Sequence, residues 1–141
     1  MRSTNPEGRR RLGSTLAVVL TLSAGSVPAT AALAADGPFT KEQAENGHLQ
    51  FNNHCAECHR PDLTGALGPS LINPAFKQKW AGKPIADLRD WIQANMPASA
   101  PGTLKEDQLD PIVAWILMKN GVQPGSTALS KTTASAVFPK S

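Results

Sequence analysis

Residues 52–62 read NNHCAECHRPD, which puts Cys55 and Cys58 three positions apart with His59 directly behind the second thiol. No other cysteine occurs in the 141 residues. Whatever these thiols hold pins one short stretch of chain, and the rest must fold round it. The candidates are each other, a metal ion, or a group bound covalently.

Compartment narrows the choice. Arg2, Arg9, Arg10 and Arg11 face a single acid, Glu7, at the start of the chain, and the apolar run LAVVLTL follows at Leu16–Leu22. Ala32-Leu33-Ala34 then supplies a small-x-small cleavage site. Basic start, short apolar middle and A-x-A end describe a secretory signal peptide over residues 1–34. The expected location is an oxidising one, the bacterial periplasm. Residues 12–35 are uncharged and long enough to cross a bilayer, so membrane attachment is expected only if the signal stays uncleaved. Gly13, Gly25 and Pro28 make that stretch a poor spanning helix.

The formal charge of +3 belongs to the signal. Beyond residue 34 there remain ten basic and ten acidic side chains. No basic stripe with interleaved aromatics is left, and nucleic acid is not an expected partner. The mature chain of about 107 residues is one small domain with a modest core. Two cysteines allow at most one disulfide, too few for a disulfide-built scaffold.

Periodicity gives helices and no convincing strand. Ala44, Gly47, Phe51, Cys55 and Cys58 recur at steps of three and four, which predicts a helix from Thr40 to Cys58, opened by a Thr40/Gln43 capping box. Gly47 inside it costs about 1 kcal/mol against alanine, a sign that another backbone passes close. A short helix fits Pro74–Trp80, and a firm one Pro84–Asn95, with Ile85, Leu88 and Ile92 on one face and Trp91 beside them. A last helix lies within Leu104–Asn120, carrying the stripe Leu109, Ile112, Val113 and Ile116. Pro111 predicts a kink or a late start there, with Asp110 as N-cap. Lys105 and Pro84 stand where a capping serine or threonine is common. Residues 35–121 form the domain, and residues 122–141 read as an extended or partly disordered tail, tethered by Val137 and Phe138. So few helices round a long irregular middle bury little apolar surface, and a non-protein group is expected at the centre.

Three chemistries fit Cys55 and Cys58. A redox C-x-x-C normally opens a helix beside a βαβ pattern, whereas this one closes a helix. Structural zinc wants four ligands, commonly from two clusters, and only His48, His54 and His59 are on offer as further donors. C-x-x-C-H is the attachment signature of c-type haem, each thiol adding to a vinyl group and His59 falling beneath the iron. Motif, compartment and fold economy agree on one covalent haem c.

The stretch NGHLQFNNHCAECH resembles the first helix of class I cytochromes c, in which a glycine, an aromatic and the first cysteine recur at steps of four, as Gly47, Phe51 and Cys55 do. The resemblance covers roughly residues 39–121. It implies an all-α class I cytochrome c fold, three to five helices with long loops wrapped round the haem. Trp115 is implied as the last helix's aromatic partner at the Gly47 crossing. LGPSL at residues 67–71 is similar to the family's proximal loop, which implies that the Pro69 carbonyl accepts a hydrogen bond from His59. Methionine is the family's usual distal ligand, and elimination points to Met96. Met1 lies in the signal, Met118 is expected to point outward, and Met96 sits in the loop MPASAPGT. His48 and His54 lie on the attachment helix, badly placed to reach the far face. Trp80 matches a tryptophan that donates to a haem propionate in some relatives, a role weighed equally against an ordinary core one. Arg60 is expected in solvent.

Ligation by His59 and Met96 implies no vacant iron position, hence an electron carrier and not an enzyme. Residues 96–104 match the pattern MP-x-x-x-PG-x-L of cytochromes associated with quinoprotein (PQQ-dependent) dehydrogenases. The implied partners are such a dehydrogenase as donor and an oxidase or another cytochrome as acceptor, met by a monomer in transient complexes. The alternatives are a haem sensor or catalytic haem protein with a displaceable distal ligand, and a permanent haem subunit of a larger dehydrogenase.

Overall fold

The computed structural model describes residues 36–140; the signal peptide expected over residues 1–34 lies outside them. Five helices follow in order: α1 (Lys41–His54), α2 (Ala56–His59), α3 (Pro74–Trp80), α4 (Ile85–Asn95) and α5 (Glu106–Lys119). Among the described residues no strand forms, only an isolated bridge between Pro84 and Val137. The fold is all-α, and among the described residues no helix is long and apolar enough to cross a membrane.

α1 and α5 cross at Gly47. A Cβ built there would lie 1.8 Å from the Pro111 carbonyl oxygen and 3.0 Å from the Trp115 Cβ. The glycine therefore trades helix propensity for backbone contact. The predicted first helix breaks at Cys55 (φ −129°), so α2 starts a new turn that carries Cys58 and His59. The expected late start of the last helix is also corrected. α5 begins at Glu106, five residues before Pro111, because Gln108 Oε1 accepts the Lys105 N–H at 3.0 Å and closes the end without a serine. Pro111 costs one interior hydrogen bond, and its carbonyl is the group lying against Gly47.

Only half of the expected capping box forms. Thr40 Oγ1 accepts the Gln43 N–H at 3.2 Å, but the Gln43 amide turns away to the tail, donating to Leu129 O and accepting from Leu129 N, both at 2.7 Å. Tail residues Leu129, Ala134 and Phe138 are buried, whereas Val137 is exposed. The tail also caps α4. Pro84 offers no capping side chain, and the N–H groups of Ile85 and Ala86 donate instead to Ala136 O and Ala134 O at 2.8 and 2.9 Å. Groups a helix start leaves open are thus satisfied from 50 residues downstream.

α4 and α5 share an interior ion pair. Arg89 Nε donates to Asp110 Oδ1 at 2.6 Å, with both side chains under a tenth exposed. Exposed Glu106 and Asp90 lie 3.4 and 3.5 Å from the same guanidinium. Burial alone would lower the pKa of Arg89, but the Asp110 bond and the three carboxylates outweigh it and raise it.

Candidate functional site

The site begins where α2 ends. Its open carbonyls draw the following loop back: Ala66 and Gly68 donate to Cys58 O at 3.0 and 2.9 Å, and Gly65 donates to His59 O at 3.0 Å. This lays Gly68-Pro69 across the imidazole of His59, which is buried. Pro69 O lies 2.7 Å from His59 Nδ1. A carbonyl can only accept, so Nδ1 carries the proton and Nε2 keeps its lone pair. A Cβ on Gly68 would come within 2.7 Å of His59 Cε1 and 2.9 Å of Nδ1. The loop therefore closes on the ring only because residue 68 has no side chain.

Above the ring opens a cavity of about 640 Å³. It is lined by Cys55, Cys58 and His59, by Ile112 and Ile116 of α5, by Trp80, Trp91 and Ile92 of α3 and α4, and by Met96 with Pro97. The structure thus brings Cys55, Cys58, His59, Pro69, Trp80 and Met96 round one cavity. Met118 does not line it; against expectation this side chain packs partly buried on the core. His48 stacks on Trp115, ring centroids 4.4 Å apart. His54 reaches the cavity margin, but its Nε2 lies 3.2 Å from Gln108 Nε2. Arg60 is exposed.

Sequence reasoning missed two features. Trp91 joins Trp80 in an edge-on pair, centroids 6.2 Å apart, and the Lys79 ammonium sits over both rings, 4.2 Å from the Trp91 centroid and 5.0 Å from that of Trp80. Nothing marks Lys79 in the sequence except its place beside Trp80.

The thiols decide what the cavity can hold. Both cysteines are free. Burial first, and then the neighbouring Cys58, push the Cys55 thiol up to about 12. A redox dithiol needs the opposite shift, whereas a thioether is uncharged and suits an apolar wall. Among the described residues no group of three or more His, Cys, Asp or Glu side chains could hold a metal ion by itself. A largely apolar cavity lined by two thiols and an imidazole whose Nε2 keeps its lone pair fits a largely apolar metallo-macrocycle. It fits neither zinc nor a dithiol centre.

Comparison with known proteins agrees. The family model described as "Cytochrome C oxidase, cbb3-type, subunit III" matches residues 42–116. The crystal structure of the sulfane dehydrogenase SoxCD from Paracoccus pantotrophus is similar with a TM-score of 0.54 at 21% identity, over 68% of this chain. That likeness shows a shared fold, and this chain spans about half (53%) of the matched SoxCD chain. No curated protein matches.

Proposed function

The chain belongs to the family described as "Cytochrome C oxidase, cbb3-type, subunit III", and we propose that it is a monohaem one-electron carrier with His59 and Met96 as axial ligands. A cytochrome c domain carries haem c covalently, here through Cys55 and Cys58, and the bound group supplies an iron that changes oxidation state by one electron.

The observation that carries this reading is the 2.7 Å contact between His59 Nδ1 and the Pro69 carbonyl, in a cavity that Met96 also lines. The Pro69 bond fixes the tautomer of His59, holds the ring in place and raises the basicity of Nε2. Met96 offers a soft thioether, which favours the reduced metal. A ligand from each side leaves no position for oxygen or a substrate, so the chain's task is to hold, shield and tune. Phe51, Leu88, Ile112 and Ile116 keep water from the cavity, and Trp80 serves as an indole donor to a haem propionate.

The proposed setting is the periplasm, with a quinoprotein dehydrogenase as donor and an oxidase or another cytochrome as acceptor. The MP-x-x-x-PG-x-L loop supports the donor. Weak, transient docking suits such partners. The family's description names an oxidase subunit, which supports a second reading, a permanent haem subunit of a larger complex. Potentiometric titration of the holoprotein tests the carrier: a single one-electron wave and a ferrous spectrum indifferent to carbon monoxide are expected, and ready carbon monoxide binding would contradict it. Co-purification after mild lysis separates carrier from subunit.

A further inference from the structure

Among the residues that line the cavity Lys79 is the one lysine or arginine. It extends from α3, an element that bears neither cysteine. Its ammonium is held over Trp91 at 4.2 Å and Trp80 at 5.0 Å. Two rings at that distance attract a cation and limit its rotamers. Lys83 also lies over Trp80, at 5.4 Å, but it does not line the cavity. The one carboxylate among the lining residues is Glu57.

This inference rests on the haem reading. A haem c has its vinyl groups on one edge and two propionates on the other, so tethering the vinyls at Cys55 and Cys58 sends the carboxylates away from those thiols. A carboxylate drawn against apolar surface is costly unless it meets a charge or a donor. We propose that Lys79, preset by the Trp80–Trp91 pair, is the counter-charge of the haem propionates and holds the reduction potential up. It is a positioning residue acting through charge: a fixed cation favours the state with one more electron.

The experiment uses holoprotein matured in a host that attaches c-haem, as wild type, Lys79→Met and Lys79→Arg. Reduction potentials are measured in dilute and concentrated salt, with absorption spectra to report ligation. Lys79→Met is expected to shift the reduction equilibrium roughly tenfold toward the oxidised form, about 59 mV for one electron, with an unchanged spectrum. Lys79→Arg is expected to restore the wild-type value. The gap should narrow in concentrated salt, because Lys79 is exposed. A Lys79→Met potential within about twofold of wild type in equilibrium constant, under the same His/Met spectrum, overturns this inference and leaves the carrier reading standing. An equal shift in Lys79→Arg also overturns it, since packing on Trp91 and not charge would then be at work. Wild-type protein without covalent haem overturns both.

Discussion

At the scale of single residues, two glycines define the site by what they lack. A Cβ at residue 68 would lie 2.7 Å from His59 Cε1, so Gly68→Ala must push the ring or the loop and lengthen the bond to Pro69. We expect a loss of about 1–3 kcal/mol on denaturant unfolding and, if His59 and Met96 hold the iron as proposed, a weakened methionine–iron absorption. Gly47 meets the harder obstacle, a backbone carbonyl 1.8 Å from its built Cβ. Gly47→Ala should cost about 3 kcal/mol or more, and a change below about 1 kcal/mol on unfolding would contradict the close crossing. Gly47 was legible in the sequence, because a glycine amid good helix formers asks for a packing reason. Spacing pointed to Cys55, Cys58 and His59, and resemblance to Pro69 and Met96, and all five line the one cavity. Lys79 was not legible: its place over two rings arises from α3 and α4 meeting, and no local pattern encodes that.

Between elements, the fold depends on contacts that sequence periodicity does not carry. α3 forms over the expected Pro74–Trp80, and its start is closed by a cap the expectation did not include, Asn73 Oδ1 accepting the Phe76 N–H at 2.8 Å. The start of α5 was not readable, because a glutamine side chain closes it and Pro111 misdirected the reading. The Arg89–Asp110 pair was equally hidden, since a charge on an apolar helix face ordinarily signals exposure. Arg89→Ala should cost about 3–5 kcal/mol by stranding the buried Asp110 carboxylate, whereas Arg89→Met with Asp110→Leu should be near neutral; chemical denaturation of both variants checks the contrast. The tail holds α4 in a similar long-range way. Phe138, 2% exposed and edge-on to Phe76 at 6.1 Å, should cost about 3–5 kcal/mol on Phe138→Ala. The near end of the tail is pH-sensitive. Asp36 accepts from the side chain and backbone N–H of Ser126, and these bonds lower its pKa below the ordinary 3.8. A depressed carboxylate stabilises the fold above its unfolded pKa and stops doing so as pH falls through the folded one. The protection factor of the Ser126 amide against hydrogen exchange should therefore fall below about pH 4 and stay flat above it.

For the whole molecule the central fact is a cavity of about 640 Å³ in so short a chain. Without a bound group, water would sit against its largely apolar walls, and the burial that stabilises so small a core would be lost. Folding and haem attachment should thus be linked. Replacing both Cys55 and Cys58 by serine is expected to abolish cooperative unfolding, and a sharp transition in that variant would show that the helices hold without the group. The same shortage of core is visible in the sequence, where few helices flank a long irregular middle, and it points to a non-protein centre. The measurement that tests the account most directly is the absorption spectrum of wild-type holoprotein and Met96→Ala in both oxidation states. The account predicts a ferrous c-type α-band in each. It also predicts the weak far-red band of ferric methionine–sulfur ligation in wild type alone, with carbon monoxide shifting only the variant. A wild-type protein that lacks the far-red band, or that binds carbon monoxide as readily as Met96→Ala, would contradict the six-coordinate carrier.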